Sequence, residues 1–313
     1  MNRKVYYIIV LVAVAMALTG CRRHKYYDLE QSYGTLRVVF NWDGYIDIPP
    51  GMNLVFYPSV DNCDGDVVSS PILQQLQYDG GKISLPVGKY DVVVYNDYTY
   101  NILYRGMDNF MTAEAYLNGY DRLPLSRTNA SVRSFTEPDL FYVAQIRDLV
   151  VSGHEQTVEI RPELKTLKLF VHVGVDGVQY VSQADGSITG AASNVMLSTG
   201  YTSDAVAGKR IFGFSISSKE LYGETRMFVC NSPMTEYYEL ELAFLLRNNS
   251  VSMGKFKYDV SSQITDRLRE NNGKLPPEGI HVYINGVKVD EVSGDGFDAV
   301  VDTWGKEVDI ELK

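Results

Sequence analysis

Cysteine is scarce in this 313-residue chain: Cys21, Cys63 and Cys230 are the whole complement. So few thiols exclude a disulfide scaffold, and two of them far apart cannot build a zinc site unaided. The four histidines, His24, His154, His172 and His281, do not fall at metal-ligand spacings either, so no metal site is predicted. Positive charge is also short, 29 basic residues against 39 acidic, for a net charge of −10. Without a basic field to neutralise phosphates, nucleic acid is excluded as a partner. Long apolar runs are missing beyond the first 20 residues, so no membrane-spanning helix is expected there. Gly-x-Ser-x-Gly is absent, which removes a serine-hydrolase elbow, and Gly294-Asp295-Gly296 lacks the lysine and helix of a phosphate loop.

The N-terminus is the most informative segment present. Arg3 and Lys4 precede an apolar stretch from Val5 to Leu18, 14 residues long. A bilayer span needs about 20, so the pattern predicts a secretory signal over residues 1–20. Leu18-Thr19-Gly20-Cys21 matches a bacterial lipobox. Cleavage would fall between Gly20 and Cys21, and Cys21 would carry the lipid. Two or three acyl chains, at about 0.8 kcal/mol per buried CH₂, then hold the protein on a membrane. Losing Arg3 and Lys4 with the signal makes the mature chain more acidic still.

Hydrophobic residues make up 45% of the sequence, enough for a folded protein rather than a disordered stalk. Residues 21–34 read as a polar tether. From Thr35 onward, short apolar runs alternate with turn chemistry: Thr35–Trp42, Met52–Tyr57, Lys82–Pro86, Tyr90–Tyr95, Leu140–Ile146 and Thr157–Ile160, punctuated at Pro49-Pro50-Gly51 and Asp79-Gly80-Gly81. That is a β-sandwich pattern. Pro162 breaks a strand-like run and sets the expected junction between a first domain, 35–160, and a second, 161–313. In the second, Leu167, Leu169, Val171 and Val173 alternate with Lys168, Phe170 and His172, which puts His172 on an outer face as an ordinary polar residue. Further strands are expected at Gly177–Ser182, Asn194–Ser198, Ile211–Ile216, Met227–Cys230, Tyr238–Leu246, Lys255–Val260, His281–Ile284, Phe297–Val301 and Glu307–Leu312. One helix is expected, Ser262–Glu270, stopped by Asn271-Asn272-Gly273. Tyr98–Thr136 is irregular and reads as a structured insertion with a short helix near Met111–Leu117, or else a functional loop.

No catalytic constellation emerges. Asp298 with Asp302, and Glu239 with Glu241, are expected to be solvated faces of strands rather than glycosidase pairs. Asp61, Asn62, Asp64 and Asp66 surround a turn without the spacing of a calcium loop. Cys63 and Cys230 are expected as buried thiols, since a bridge would have to join two domains. No cofactor is called for.

Four segments carry a resemblance: Leu85-Pro86-Val87-Gly88-Lys89-Tyr90 running into Tyr95-Asn96; Glu137-Pro138-Asp139-Leu140-Phe141-Tyr142-Val143-Ala144; Arg161-Pro162 into Thr166; and Tyr283-Ile284-Asn285-Gly286, Gly296-Phe297-Asp298 and Trp304-Gly305-Lys306-Glu307 at the C-terminus. Together they resemble the fimbrillin-like lipoproteins of Bacteroidales. The resemblance implies an all-β protein of two tandem transthyretin-like β-sandwich domains after a lipoprotein signal peptide. It implies a part in fimbriae or adhesion, with fimbrillin-like pilus subunits as partners besides the outer-membrane lipid reached through Cys21. The mechanism it implies is β-strand donation, for which Val308, Ile310 and Leu312 alternate suitably with Asp309 and Glu311; pairing of that strand within its own domain is the alternative. Thr35–Phe40 resembles a strand that stalk subunits lose by proteolysis. No arginine-terminated site stands just before it, which favours a lipidated anchor or accessory subunit. The competing reading is a surface lipoprotein that binds glycan by stacking sugars on exposed tyrosines, Trp42 or Trp304. Outer-membrane surface display follows from the family, while Arg22-Arg23-His24-Lys25 after the lipid site keeps the periplasmic face open.

Overall fold

A computed structural model describes residues 33–59, 70–120, 134–202, 208–230, 233, 236–248, 251–290, 301–303 and 306–308. The chain is all-β, with a single α-helix of ten residues among those described. None of the described helices is long and apolar enough to cross a membrane.

The first half contributes β1 (Tyr33–Phe40), β2 (Gly51–Pro58), β3 (Ile72–Gln77), β4 (Gly81–Pro86) and β5 (Gly88–Asn96). Then come β6 (Ile102–Arg105), β7 (Glu114–Leu117), β8 (Gly119–Tyr120), β9 (Ser134–Phe135), β10 (Tyr142–Val151), β11 (Gln156–Ile160) and β12 (Glu163–Leu164). A three-stranded sheet, β11-β1-β4, and a five-stranded sheet, β12-β10-β5-β2-β3, enclose the first core. Period-two patterning aims Leu36, Val38, Ile83 and Leu85 from one sheet, and Leu54, Phe56, Val92 and Val94 from the other, into one buried cluster. β2 is buried along nearly its whole length, because its second face is covered as well. There Tyr57 meets Phe110 edge-on at 5.7 Å and donates its hydroxyl to the Met107 carbonyl.

The second half contributes β13 (Thr166–Asp176), β14 (Val181–Ala192), β15 (Asn194–Met196), β16 (Gly208–Ile216), β17 (Glu220–Val229), β18 (Glu239–Leu246), β19 (Val251–Asp259), β20 (Ile280–Lys288), β21 (Val301–Thr303) and β22 (Lys306–Val308). Most join one sheet in the order β19-β18-β14-β16-β17-β13-β20-β21-β22, and β14 also touches β17, so the sheet curls on itself. Helix α1 (Ser261–Glu270) buries Ile264 and Leu268, and Gln263 exchanges two hydrogen bonds with the Tyr283 backbone.

Two expectations need correction, and one further strand is present. The segment from Gly177 is not strand at first: Gly177 adopts φ +88°, residues Val178–Tyr180 form a 3-10 turn, and β14 starts only at Val181. The short helix near Met111–Leu117 is a turn followed by β7, because Ala113, Ala115 and Leu117 are buried at a spacing of two. The edge strand β3 carries no apolar alternation in sequence, since its glutamines leave only half-buried Ile72, Gln74 and Leu76 on one face.

Candidate functional site

Strand β1 covers Thr35–Phe40, the segment that resembles a processed strand of stalk subunits. It lies between two partners, antiparallel to β4 over Tyr33–Val38 and parallel to β11 over Leu36–Phe40. Leu36, Val38 and Phe40 point inward and are at most 7% exposed. Each such side chain contributes about 1.5–3 kcal/mol of apolar burial. Gly34 lets the strand enter, because a Cβ there would stand 1.9 Å from the Ser152 carbonyl oxygen. The exit is fixed by Asn41, whose amide donates to Ile160 and whose side chain donates to Glu159 at 2.8 Å each. Beyond it Trp42 is 9% exposed, packs edge-on against Tyr142 at 5.3 Å and donates its indole N–H to the Tyr78 carbonyl. The chain thus completes its own first sandwich, and Trp42 is a core residue with no face free for a sugar.

The irregular segment after β5 joins the two halves. β7 pairs with β15, and β9 pairs with β16. Glu114 on β7 accepts two hydrogen bonds from Arg105 and one from Asn194 of β15. Burial pushes its carboxyl up, but those bonds and the arginine charge outweigh burial and hold it below the usual carboxylate range. Between β9 and β10, Glu137 accepts from the Arg210 guanidinium at 2.6 Å and from the Arg226 amide at 3.1 Å. Arg210 is 7% exposed and also donates to Thr225 and to the Phe135 carbonyl. Asn96 bonds the Leu140 carbonyl and the Tyr142 amide, and Asp139 accepts the backbone amides of Tyr100 and Asn101. The Tyr95-Asn96 and Glu137–Tyr142 motifs are therefore joints of the fold.

Sequence-derived sites divide between described and undescribed residues. Gly20 and Cys21 lie outside the described residues, as do Ile310, Leu312, Trp304, Cys63, Asp298 and the Asp61, Asn62, Asp64, Asp66 turn. Val308 ends β22, whose backbone pairs with β21, and β21 meets β20 at Val287. Glu239 is paired with Lys257, and Glu241 with Lys209, on the solvated side of β18. Cys230 is buried, its thiol 3.5 Å from the Gly190 carbonyl oxygen. His172 does lie on an outer face, but the parallel pairing of β13 with β20 brings His281 beside it, across 109 positions of sequence. Sequence spacing alone carried no signal of that pair.

Over 335 aligned residues the chain is 26% identical to "Putative fimbrium anchoring subunit Fim4B" of Bacteroides ovatus, with 98% of each chain covered. This relative bears out the resemblance read from the motifs. A crystal structure of a "putative adhesin" of Bacteroides ovatus superposes with a TM-score of 0.61 at 23% identity, covering 85% of this chain and 95% of that one. "Putative polysaccharide binding proteins" of Bacteroides thetaiotaomicron share the fold at a TM-score of 0.53 and 12% identity, covering 89% and 98%. Residues 20–210 match the family described as DUF5119, a domain of unknown function. The match spans more than half of the sequence, and the chain belongs to that family.

Proposed function

We propose that the chain is a lipid-anchored cell-envelope protein that serves as a fimbrial anchor or accessory subunit, with a structural rather than a catalytic role. Its two sandwich domains are residues 35–160 and 161–313, and lipid on Cys21 holds them at the outer membrane, facing the cell surface. The carrying observation is the position of β1 between β4 and β11, hydrogen-bonded on both sides by its own chain. With β1 in place, the position between β4 and β11 is filled by the chain itself, which suits a subunit with none behind it. It can still give a strand to the subunit ahead, through Val308, Ile310 and Leu312, once Val308 leaves its pairing with β21 of its own chain. The full-length similarity to a protein named as a fimbrium anchoring subunit supports the same reading. Glycan stacking loses Trp42 to the core.

Native cell envelopes test this directly. Unheated samples run on a denaturing gel should show the chain in a detergent-resistant ladder with other fimbrillin-like subunits, and boiling should collapse it. Removal of 308–313 should abolish the ladder while the protein stays in the membrane fraction. A lone monomer before and after boiling, in cells that display fimbriae, would refute the role.

A further inference from the structure

The segment Arg161–Lys165, which carries the chain from its first half to its second, runs along a cleft. Two cavities lie there, of about 430 Å³ and about 420 Å³, and Arg161 and Glu163 line both. Each is within the range of about 300–1,000 Å³ usual for small-molecule clefts. Asp43 and Tyr45 wall the larger cavity from the first half of the chain, and Tyr201, Cys230 and Lys274 wall it from the second. Polar side chains distant in sequence thus converge on one space.

The charges around that space balance. Arg161, Lys165 and Lys274 stand against Asp43, Glu159 and Glu163, so the wall gives no preference for an ionic ligand of either sign. Lys165 Nζ lies 2.9 Å from Glu163, which uses one of its three donors. Its side chain is 17% exposed, and the ammonium rests beside Gly200, where a Cβ would stand 3.0 Å from it. Lys274 Nζ and Asp43 Oδ2 are 3.7 Å apart, too far for a direct hydrogen bond. A hydroxyl set between them accepts from the ammonium and donates to the carboxylate at once. A ligand carboxylate there would meet Asp43, and a ligand ammonium would meet Lys274.

Tyr201 adds an apolar surface at the same cavity. Its amide donates to Thr199 Oγ1 at 3.2 Å and its carbonyl accepts the Met196 amide at 2.7 Å, so the backbone is fixed while the residue stays 64% exposed. We propose that this cleft binds a neutral saccharide, with one pyranose ring stacked by its C–H face on Tyr201. Hydroxyls of the sugar bridge Lys274 to Asp43 and reach the spare donors of Lys165. None of the lining residues belongs to β1 or to the segment 308–313, so the site adds a ligand to the anchor role and does not depend on it.

Full-length protein extracted in detergent and applied to an array of neutral and acidic oligosaccharides provides the test. Neutral glycans should be retained. The best of them, titrated as the free oligosaccharide, should show saturation transfer from the protein to the ring protons of one pyranose. Tyr201→Ala should weaken its binding about 10-fold, the loss expected for one stacked ring. Lys274→Met, which keeps the apolar stem and removes the donors, should also weaken it about 10-fold. Neither change should alter circular dichroism or the heat-sensitive ladder by which the anchor role is judged. Retention of no neutral glycan, retention of acidic glycans alone, or unchanged affinity in the double variant would overturn the proposal.

Discussion

The Arg210 guanidinium, almost fully buried in the second sheet, meets the Glu137 carboxylate of the segment leading into β10 at 2.6 Å. The pair fastens the two halves of the molecule at a point where neither half supplies both charges. A buried arginine that loses its counter-ion keeps its desolvation cost, and that cost typically exceeds what the intact pair contributes. Glu137→Ala is therefore expected to lower stability by about 2–4 kcal/mol, short of a fully buried pair because Glu137 retains some solvent contact. Glu137→Gln, which still accepts hydrogen bonds, should lose less. Urea denaturation followed by tryptophan and tyrosine fluorescence measures both, and a loss under about 0.5 kcal/mol for the alanine variant would contradict the role.

Asn96 works in the same joint by hydrogen bonding alone. Its side-chain amide donates to Leu140 and its oxygen accepts from Tyr142, and the residue is 2% exposed. Removing it leaves one buried donor and one buried acceptor unsatisfied, at about 1–3 kcal/mol each. Asn96→Ala should cost about 2–4 kcal/mol. Asn96→Asp should cost more, because a carboxylate cannot donate to the Leu140 carbonyl. A thermal melt in which the aspartate variant matches the unmutated chain at neutral pH would show that the site is open to water.

Much of this was visible in the sequence, and what was hidden has a common cause. Alternation at Leu36, Val38 and Phe40, and again from Leu167 to Val173, announced strands with one buried face, and those residues are buried. Helix α1 begins one residue before the expected Ser262, where Asp259 accepts the Ser261 amide. What stayed hidden depends on partners distant in the chain. β6, β8 and β9 are too short to show a period, and β7 and β9 take part of their pairing from β15 and β16 of the other half. His172 and His281 meet only because β13 and β20 run parallel, a register no local spacing encodes.

Glycine positions give a sharp contrast. Gly177 has φ +88°, and a Cβ there would fall 1.7 Å from the Val289 carbonyl oxygen, whereas Gly153 has nothing within 4 Å of its hypothetical Cβ. Gly177→Ala must bear the left-handed backbone penalty of about 1–2 kcal/mol and also displace the backbone at Val289. Gly153→Ala should be neutral or stabilising by about 0.4–1 kcal/mol, through lower entropy of the unfolded chain. Differential scanning calorimetry of the two variants should move the melting temperature in opposite directions, or leave Gly153→Ala unchanged.

Buried tyrosines set the alkaline limit of stability. Burial pushes Tyr95 and Tyr258 up to about 12 from an ordinary value of 10. A raised folded-state value means the folded protein holds the phenolic proton more tightly than the unfolded chain does. The stability from this source is complete below about pH 10 and is lost as pH rises from 10 toward 12. Phenolate absorbance should show a late, cooperative rise coincident with loss of the β-sheet circular dichroism signal. Tyr95→Phe should delay that rise, and complete ionisation with the sheet signal intact would refute the coupling.

β1 offers the most direct check on self-completion of the first sandwich. Its backbone is bonded to β4 and β11 at once, and Leu36, Val38 and Phe40 are buried, so its amides should be among the slowest to exchange in the protein. A chain lacking residues 33–40 would expose the floor of the groove between β4 and β11. A synthetic peptide of sequence 33–42 should then bind in that groove and restore the melting temperature, by the main-chain and pocket contacts that govern strand addition. A peptide with Val38→Asp places a charge in the core and should fail, because an unpaired buried carboxylate costs several kcal/mol. Binding of both peptides alike would mean that backbone pairing alone, without the inward side chains, selects the strand. Rapid exchange of Leu36–Phe40 in the intact protein would mean that β1 leaves its groove readily, and the chain would then be open to a donor from another subunit.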